Sequence, residues 1–262
     1  MWSPLLDRVI FQPSPGIDLR PEQIGLEAEE VSLRAEDGTE LHAFFLPSEG
    51  ASRALLFLHG NAGNASHRLP NAAELVRLGI HVLLLDYRGY GLSEGSPSEQ
   101  GVYADARAGL AHLVARRGIP ETRVVLFGRS LGGAVAVELA RGRPLAGVIL
   151  ESTFPSAAEI ARSVLGPLGA ILARGRFESD RKIGQVRSPL LFFHGDRDEV
   201  VDFALGQRLF EVAPDPKEFE VIPGAGHNDT TLVGGRPYFA RIGRFLDEVA
   251  PEDGSGAQGS GV

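Results

Sequence analysis

Short apolar segments alternate with longer amphipathic segments along most of this chain. The first two short segments alternate apolar and polar residues and flank Asp37-Gly38, a pair typical of a hairpin turn. The later ones are apolar throughout, as strands covered on both faces of a sheet usually are. We predict eight strands: Val31–Arg34, Leu41–Leu46, Ala54–Leu58, His81–Asp86, Val124–Phe127, Gly147–Leu150, Leu190–Phe193 and Phe219–Ile222.

Segments of helical length lie between these strands. They are Arg68–Leu78, Ser98–Arg116, Leu131–Ala140, Phe203–Val212 and Pro237–Val249. A hairpin followed by repeated strand and helix units is typical of α/β proteins with a parallel sheet. The pattern therefore predicts the α/β class, with a mostly parallel eight-stranded sheet flanked by helices.

One interval, Thr153–Pro189, is longer than a simple crossover between two strands requires. It contains one or two helical pieces, including Ala157–Leu165, and we predict that it forms a short cap segment over the sheet at about 153–189. The length of the chain suits one large core. We predict a single domain over residues 1–250 and, because residues 251–262 are rich in glycine and serine, a flexible tail at the end.

Composition and charge exclude several classes of protein. The net charge of −8 argues against partners such as nucleic acids or anionic lipid surfaces. The chain has no cysteine, which excludes disulfides, thiol catalysis and thiolate metal sites. Glycine is enriched, at 33 of 262 residues, without the period of collagen, so it indicates tight turns and close backbone approaches.

The N-terminal residues lack the features of a targeting or membrane segment. No apolar run reaches the ~20 residues that span a bilayer, and Asp7 and Arg8 interrupt the first residues, so no integral membrane segment and no signal peptide are expected. Residues 5–11 are predicted to form a short amphipathic turn. We predict a cytoplasmic protein.

The pentapeptide G-x-S-x-G occurs twice, and it marks a serine exposed on a sharp turn between a strand and a helix. Gly91–Gly95 follows a strand but precedes Gly95-Ser-Pro97, so Ser93 is predicted to lie in a solvated loop. Gly128–Gly132 lies directly between a buried strand and a helix. The predicted nucleophile is therefore Ser130.

A serine hydroxyl needs a base to remove its proton and an acid to orient that base. In folds with this turn the acid and the histidine follow the serine in sequence, each on a loop after a late strand. The loop after Leu190–Phe193 offers Asp196 and Asp198, and the loop after Phe219–Ile222 offers His227. All of these lie at the carboxyl edge of the predicted sheet, beside Ser130.

Two backbone amides should stabilise the negative oxygen that forms when the serine attacks a carbonyl. One is the amide of Leu131, directly after the nucleophile, and the other belongs to the glycine-rich loop after the third strand. Asn61 is the expected donor in that loop, with Ala62 as the alternative. The G-x-G-x-x-G match at 254–259 has neither a strand before it nor a helix after it, and no metal-ligand spacing occurs, so neither a cofactor nor a metal is expected.

These motifs resemble those of the alpha/beta-hydrolase superfamily, and specifically of its ABHD-type serine hydrolases. The matching segments are His59–Asn64, Asp86–Gly95, Gly128–Ala134, His194–Asp198 and Gly226–Asp229. The family pattern H-G-x-x-D-x-x-V has its acid at the fifth residue, so the resemblance implies Asp198, with Asp196 as the alternative. It also implies esterase, lipase, thioesterase or peptidase-like chemistry.

The predicted function is a serine hydrolase that cleaves small-molecule carboxylic esters or thioesters through an acyl-enzyme. Apolar residues of the predicted cap favour an apolar acyl group: Phe154, Leu165, Leu168, Ile171, Leu172 and Phe177. An aminopeptidase-like hydrolase is the alternative, and it would use Glu151, Glu159 or Glu178 to bind a free amine. A non-catalytic binding protein of the same fold is disfavoured because the serine, acid and histidine are all present.

Overall fold

The computed structural model describes residue 7 and residues 10–252, and it describes residues 164 and 165 by their backbone only. Most of the predicted amphipathic turn at 5–11 and most of the predicted tail at 251–262 lie outside the described residues. The G-x-G-x-x-G match at 254–259 lies outside them as well.

In chain order, the strands over the described residues are β1 (Gln12–Pro13), β2 (Glu29–Arg34), β3 (Glu40–Leu46), β4 (Ala54–Leu58), β5 (Ala62–Gly63), β6 (His81–Leu85), β7 (Val124–Arg129), β8 (Gly147–Glu151), β9 (Leu190–Gly195) and β10 (Lys217–Ile222). All of them except β1 and β5 form one eight-stranded sheet at the centre of the described chain, with the order β10-β9-β8-β7-β4-β6-β3-β2. In this sheet, as far as the chain is described, the antiparallel pairs are those that β3 makes with β2 and β6, and the other pairs are parallel. The predicted mostly parallel, eight-stranded sheet is therefore confirmed.

Helices cover both faces of the sheet. They are α1 (Leu69–Val76), α2 (Glu99–Ala115), α3 (Leu131–Ala140), α4 (Ala157–Leu172), α5 (Ser179–Lys182), α6 (Phe203–Val212) and α7 (Thr230–Val249). Along the described residues, none of them combines the length and the apolar character that crossing a bilayer requires.

Two apolar layers hold the helices against the sheet. On one face α2, α3 and α6 pack in a cluster with Leu56 and Leu58 of β4, and on the other α1 and α7 pack with Leu55 and Phe57. Successive side chains of a strand point to opposite faces, so the apolar run of β4 serves both layers. All five residues of β4 are buried.

The register of the central strands brings their carboxyl ends to one edge of the sheet. Leu58, the last residue of β4, lies beside Leu85 of β6 and Gly128 of β7. The loop 59–64 after β4 and the turn after β7 therefore start side by side. The loops after β8, β9 and β10 leave from the same edge because these strands are parallel to β7.

Two helices are longer than the sequence predicts because each contains a kink. Helix α7 begins at Thr230 rather than Pro237, with Gly235 at φ 50° and ψ −140° inside it. Helix α4 continues past the predicted end at 165, with a similar break at Gly166 (φ 66°). In both, a proline follows the glycine, and proline lacks the amide proton that a regular helix would use. The sequence pattern therefore predicts the part of α4 before its kink and the part of α7 after its kink, and it does not predict the other part of either helix.

The segment that contains β1 lies beside the loop after β4, a contact that the sequence did not predict. β1 pairs in parallel with β5, which lies inside that loop. The amide of Ser14 donates to the carbonyl of Gly63 at 3.1 Å, and the amide of Gly91 donates to the carbonyl of Ser14 at 3.0 Å. This segment therefore ties two loops of the carboxyl edge together.

Candidate active site

Ser130 lies between the last residue of β7 and the first residue of α3, with no residue to spare. Its backbone has φ 53° and ψ −117°, a conformation in which a residue with a side chain is strained. A Cβ atom on Gly132 would lie 1.9 Å from the carbonyl oxygen of Leu58, and one on Gly128 would lie 2.4 Å from the carbonyl oxygen of Gly132. Both glycines are needed because the helix approaches the neighbouring backbone so closely.

The loop after β10 brings His227 to this serine. Its Nε2 lies 3.1 Å from Oγ of Ser130, and its Nδ1 lies 2.8 Å from Oδ2 of Asp198 on the loop after β9. Because a carboxylate only accepts, Nδ1 carries the proton and donates it to Asp198, which leaves Nε2 free to accept from the serine hydroxyl. The structure thus brings together the serine, histidine and acid that the sequence singles out.

Asp198 is held as an ionised group. Its side chain is fully buried, and its Oδ1 accepts the amides of Val200 at 2.9 Å and Val201 at 2.7 Å. Burial alone would raise the pKa of this carboxyl, but the hydrogen bonds from His194, His227 and the amide of Val201 outweigh burial and hold the pKa well below its usual range. A negative charge is therefore available to orient the imidazole.

Two residues that the sequence offers as alternatives are bound elsewhere. Asp196 is exposed, and its Oδ1 accepts the amide of Gly224 at 2.6 Å. Ser93, in the first G-x-S-x-G match, donates to the carbonyl of Asp86 at 2.8 Å and accepts the amide of His42 at 2.9 Å. Each of these contacts fixes a loop, and none of them involves the imidazole of the candidate base.

One predicted amide donor belongs to a loop that touches the serine, and the other belongs to the residue directly after it. A Cβ atom on Gly60 would lie 3.4 Å from Cβ of Ser130, so the loop 59–64 touches the turn after β7. In the described part of the chain, the amides of Asn61 and Leu131 donate to no turn, loop or side-chain acceptor. Leu131 is also the first residue of α3, where the helix dipole favours negative charge.

The side chain of Asn61 fixes the loop that carries its amide. Its Oδ1 accepts the amide of Gln12 at 3.2 Å and the hydroxyl of Tyr90 at 3.1 Å. Its Nδ2 donates to the carbonyl of Ile10 at 2.5 Å. The sequence analysis missed this role because residues 10–13 carry no strand or helix pattern that would place them here.

The apolar residues of the predicted cap divide into two groups. Phe177 is fully buried and packs edge-to-face against Phe11 and Tyr103, with ring centroids 6.0 and 5.9 Å apart. Phe154 is also buried, and the side chain of residue 165 lies outside the described part of the chain. The exposed group consists of Leu168, Ile171 and Leu172 in α4.

Two buried charged residues lie beside the serine, and the sequence pointed to only one of them, Glu151, as a candidate site residue. Nε of Arg129 lies 3.0 Å from Oε1 of Glu151, and their side chains are 4% and 1% exposed. The signal for Arg129 is present in the sequence, since it is a charged residue that interrupts an apolar strand directly before Ser130. The sequence offers Glu151 as a candidate for binding a free amine. In the structure its carboxylate is paired with Arg129 instead.

The chain is similar to other proteins along almost its whole length. It is 40% identical to an uncharacterized protein of Mycobacterium tuberculosis, over 93% of this chain and 88% of that protein. It is 35% identical to the alpha/beta hydrolase domain-containing protein WAV2 of Arabidopsis thaliana, over 94% of this chain and 89% of that protein.

A family model described as serine aminopeptidase, S33, matches residues 50–179, which include Ser130 and the loop 59–64. A solved esterase structure from Pyrococcus furiosus has a similar fold, with a TM-score of 0.79 at 21% identity, covering 92% of this chain and 98% of that chain. The chain belongs to the alpha/beta-hydrolase family, in its ABHD-type branch.

Proposed function

We propose that this protein is a serine hydrolase that cleaves carboxylic esters, thioesters included, through an acyl-enzyme. The observation that carries the proposal is the continuous set of hydrogen bonds from Ser130 to His227 at 3.1 Å and from His227 to Asp198 at 2.8 Å. A histidine with this pair of contacts can remove a proton from the serine and remain oriented while it does so.

In the acylation step, Oγ of Ser130 attacks the ester carbonyl and its proton moves to Nε2 of His227. The carboxylate of Asp198 keeps the imidazole in the required tautomer and stabilises the imidazolium that forms. His227 then gives the proton to the leaving alcohol or thiol as the carbonyl–oxygen or carbonyl–sulfur bond breaks. In deacylation the same imidazole takes a proton from water, which attacks the acyl-serine and releases the acid.

The amides of Asn61 and Leu131 would bind the oxyanion of each tetrahedral intermediate. A preorganised donor of this kind typically contributes about 3 kcal/mol to transition-state stabilisation. The loop that carries Asn61 touches Ser130, and Leu131 follows it directly. Neither amide donates to another turn, loop or side-chain acceptor in the described residues, which supports this role.

We assign the substrate an apolar acyl group and a small-molecule size. The exposed side chains of Leu168, Ile171 and Leu172 lie in α4, which follows β8 from the same edge of the sheet as Ser130. Apolar surface next to a polar reacting centre is what an acyl chain requires. The lack of cysteine in the sequence accords with action in the cytoplasm.

The proposal is tested with a fluorophosphonate probe and a panel of p-nitrophenyl esters of increasing chain length. We expect the probe to label the protein at Ser130 and the Ser130→Ala variant to lose both labelling and turnover. Faster hydrolysis of longer acyl chains than of acetate would support the apolar acyl group. A protein that neither reacts with the probe nor hydrolyses any ester in the panel would refute the proposal.

An aminopeptidase is the second candidate, since the matching family model carries that description. Such an enzyme needs a carboxylate that is free to bind the amine of the substrate. The three predicted carboxylates are engaged: Glu151 with Arg129, Glu159 with Arg208 and Glu178 with Arg181. Aminoacyl anilides in the same panel separate the two functions, and we expect esters to be the better substrates.

A further inference from the structure

The residue directly before the proposed nucleophile is a buried arginine with a buried counter-ion. Arg129 is the last residue of β7 and lies beside Glu151, the last residue of β8. A buried ion pair is weak evidence for stability, because removing both charges from water costs about as much as their attraction returns. Its place beside Ser130 therefore calls for another explanation.

The guanidinium of Arg129 reaches the main chain of the proposed base. Its Nη2 donates to the carbonyl oxygen of His227 at 2.5 Å, and it lies 3.4 Å from Oδ1 of Asn228. This contact spans 98 positions of sequence, from β7 to the loop after β10. It links the strand that carries the nucleophile directly to the backbone that carries the base.

Glu151 completes the link from the other side. Its carbonyl oxygen accepts the amide of Ser130 at 2.8 Å. Its carboxylate accepts the hydroxyl of Thr230 at 3.0 Å and the hydroxyl of Tyr238 at 2.5 Å, both in α7 directly after the histidine loop. Glu151 therefore contacts the nucleophile, the guanidinium and the helix into which the histidine loop leads.

This link answers a geometric problem of the fold. His227 is carried by the loop after β10, which lies at the edge of the sheet and is separated from β7 by β9 and β8. The loop must cross two strands to reach Ser130, while proton transfer requires the donor and acceptor to stay within hydrogen-bond distance. The buried guanidinium of Arg129 lies where the loop crosses, paired with Glu151 and hydrogen-bonded to the carbonyl of His227. It can therefore hold the loop so that His227 stays within hydrogen-bond distance of Ser130.

We propose that Arg129 and Glu151 act as a positioning pair that sets the distance between Nε2 of His227 and Oγ of Ser130. Arg129 binds the histidine loop, and Glu151 holds the guanidinium and α7 in place. The inference rests on the proposed function in one respect, namely that proton transfer from Ser130 to His227 is a step of the reaction. Both side chains are buried, so we expect them to act through His227 and not by contact with the substrate.

The first test is the double variant Arg129→Met/Glu151→Gln, which removes both charges and so leaves no unpaired buried ion. We expect kcat for a p-nitrophenyl ester to fall on the order of 100-fold, the loss that a displacement of about 1 Å produces. KM should stay within about twofold, because the residues do not contact substrate. Fluorophosphonate labelling should slow in proportion to kcat.

A matched control is the buried pair of Arg88 and Asp105, whose Nη2 and Oδ1 lie 2.7 Å apart with side chains 10% and 0% exposed. The Arg88→Met/Asp105→Asn variant removes a similar pair that makes no hydrogen bond to Ser130, His227 or Asp198 in the described residues. We expect it to lower the melting temperature and to leave kcat unchanged. Equal losses of kcat in both double variants would mean that the effect is one of stability, and would overturn the proposal.

The third measurement does not depend on turnover. The proton on Nδ1 of His227, hydrogen-bonded to Asp198, should give a strongly downfield resonance in the proton NMR spectrum, and we expect the Arg129→Met/Glu151→Gln variant to lose or broaden it. If the wild-type protein neither reacts with the probe nor hydrolyses esters, the proposed function fails, and the resonance still tests the positioning of His227. A double variant with wild-type kcat and resonance would overturn the positioning role.

Arg129→Lys covers the case in which the double variant does not fold. Lysine keeps the charge opposite Glu151, but its single ammonium lacks the planar fork that binds two acceptors at once. We expect a folded protein whose kcat is reduced about tenfold with an unchanged KM. An Arg129→Lys protein with the kcat of the wild type would refute the need for the contact with His227.

Discussion

His194 and His227 approach the same carboxylate oxygen. Oδ2 of Asp198 lies 2.8 Å from Nδ1 of His227 and 3.3 Å from Nε2 of His194, and that Nε2 also lies 2.9 Å from the carbonyl oxygen of Val201. His194 thus contacts the carboxylate of Asp198, as His227 also does, and it contributes to the lowered pKa of Asp198. Helix α6 makes room for this ring at Gly206, where a Cβ atom would lie 2.1 Å from Nδ1 of His194.

Substituting Gly206 by alanine should therefore change the surroundings of Asp198 through His194, although residue 206 itself does not contact Asp198. We expect Gly206→Ala to displace the ring of His194, to destabilise the fold by about 1–3 kcal/mol, the usual cost of an overpacked core, and to lower kcat. Guanidinium unfolding and ester hydrolysis measure the two effects.

The control is Gly243→Ala in α7, where the new Cβ would meet only Leu78 at 3.6 Å. That variant should gain about 0.5–1 kcal/mol of stability, as alanine does over glycine in a helix, and keep the wild-type kcat.

The two aspartates after β9 should differ sharply in their effect on turnover. Asp198→Asn removes the charge that orients His227, and a loss on the order of 10⁴ in kcat is expected from the equivalent change in a serine–histidine–aspartate site. Asp196→Asn changes an exposed carboxylate that binds the amide of Gly224, and kcat should stay close to the wild-type value. A larger loss in the Asp196→Asn protein would exchange the roles of the two residues. The measurement is kcat for one ester at saturating substrate.

The serine of the first G-x-S-x-G match should contribute to stability only. Ser93→Ala removes two hydrogen bonds, to the carbonyl of Asp86 and from the amide of His42, and should cost about 1–3 kcal/mol because a buried group loses its partner. Fluorophosphonate labelling should remain complete in this variant. Mass spectrometry of the labelled peptide gives the decisive reading, since a probe found on residues 91–95 would contradict the assignment of Ser130.

Stability should depend on pH through His59, which is fully buried with Nδ1 2.7 Å from the carbonyl oxygen of Gly60. Burial lowers the pKa of His59 to about 4 from its usual value of 6.5. Below pH 6.5 the unfolded chain binds a proton that the folded chain refuses, so stability falls as the pH is lowered from 6.5 to 4. The loss from this group approaches about 1.4 kcal/mol per pH unit and reaches about 3 kcal/mol in total.

The variant His59→Asn isolates this contribution. Below pH 6.5 the slope of its unfolding free energy against pH should be smaller than that of the wild type. The difference should approach about 1.4 kcal/mol per pH unit, which corresponds to one proton. Guanidinium unfolding at a series of pH values between 4.5 and 7.5 provides both curves. Parallel curves for the two proteins would show that His59 does not stay neutral in the folded state.

The side chain of Asn61 should matter for turnover through the position of its own amide. Asn61→Ala removes the bonds to Ile10, Gln12 and Tyr90, and we expect kcat to fall about 10²-fold, the loss typical of one oxyanion donor. Tyr90→Phe removes only one of these bonds and should give a smaller loss. If Asn61→Ala retains the wild-type kcat, the amide keeps its place without the side chain, and the tie to the N-terminal segment has another purpose.

Much of the fold follows from the sequence because its signals are local. Continuous apolar runs such as Ala54–Leu58 mark strands covered on both faces, and the abutting strand, G-x-S-x-G and helix mark Ser130. Since parallel strands end at one edge, the loops that carry Asp198 and His227 could also be placed near the serine. The structure brings these three residues into contact as that rule implies.

Two features of the site that the sequence did not predict depend on contacts between distant parts of the chain. The bond from Arg129 to the carbonyl of His227 joins residues 98 positions apart. The tie between Ile10 and Asn61 joins a segment without any periodic pattern to a loop 51 positions away. The early start of α7 escapes prediction for a local reason, since Gly235 and Pro237 mark a stop in any single-helix pattern.

The pairing of β1 with β5 gives the two ends of the described chain very different surroundings. Residues 10–13 lie against the loop that carries Asn61, whereas Ala250 is held by Arg53 at the start of β4, on the opposite edge of the sheet. A fluorescent label attached at residue 12 or 13 would stand beside the loop that carries Asn61. A label attached at residue 252, whose carboxylate accepts from Ser52, would lie at the opposite edge, which makes that side of the protein the natural point for immobilising it.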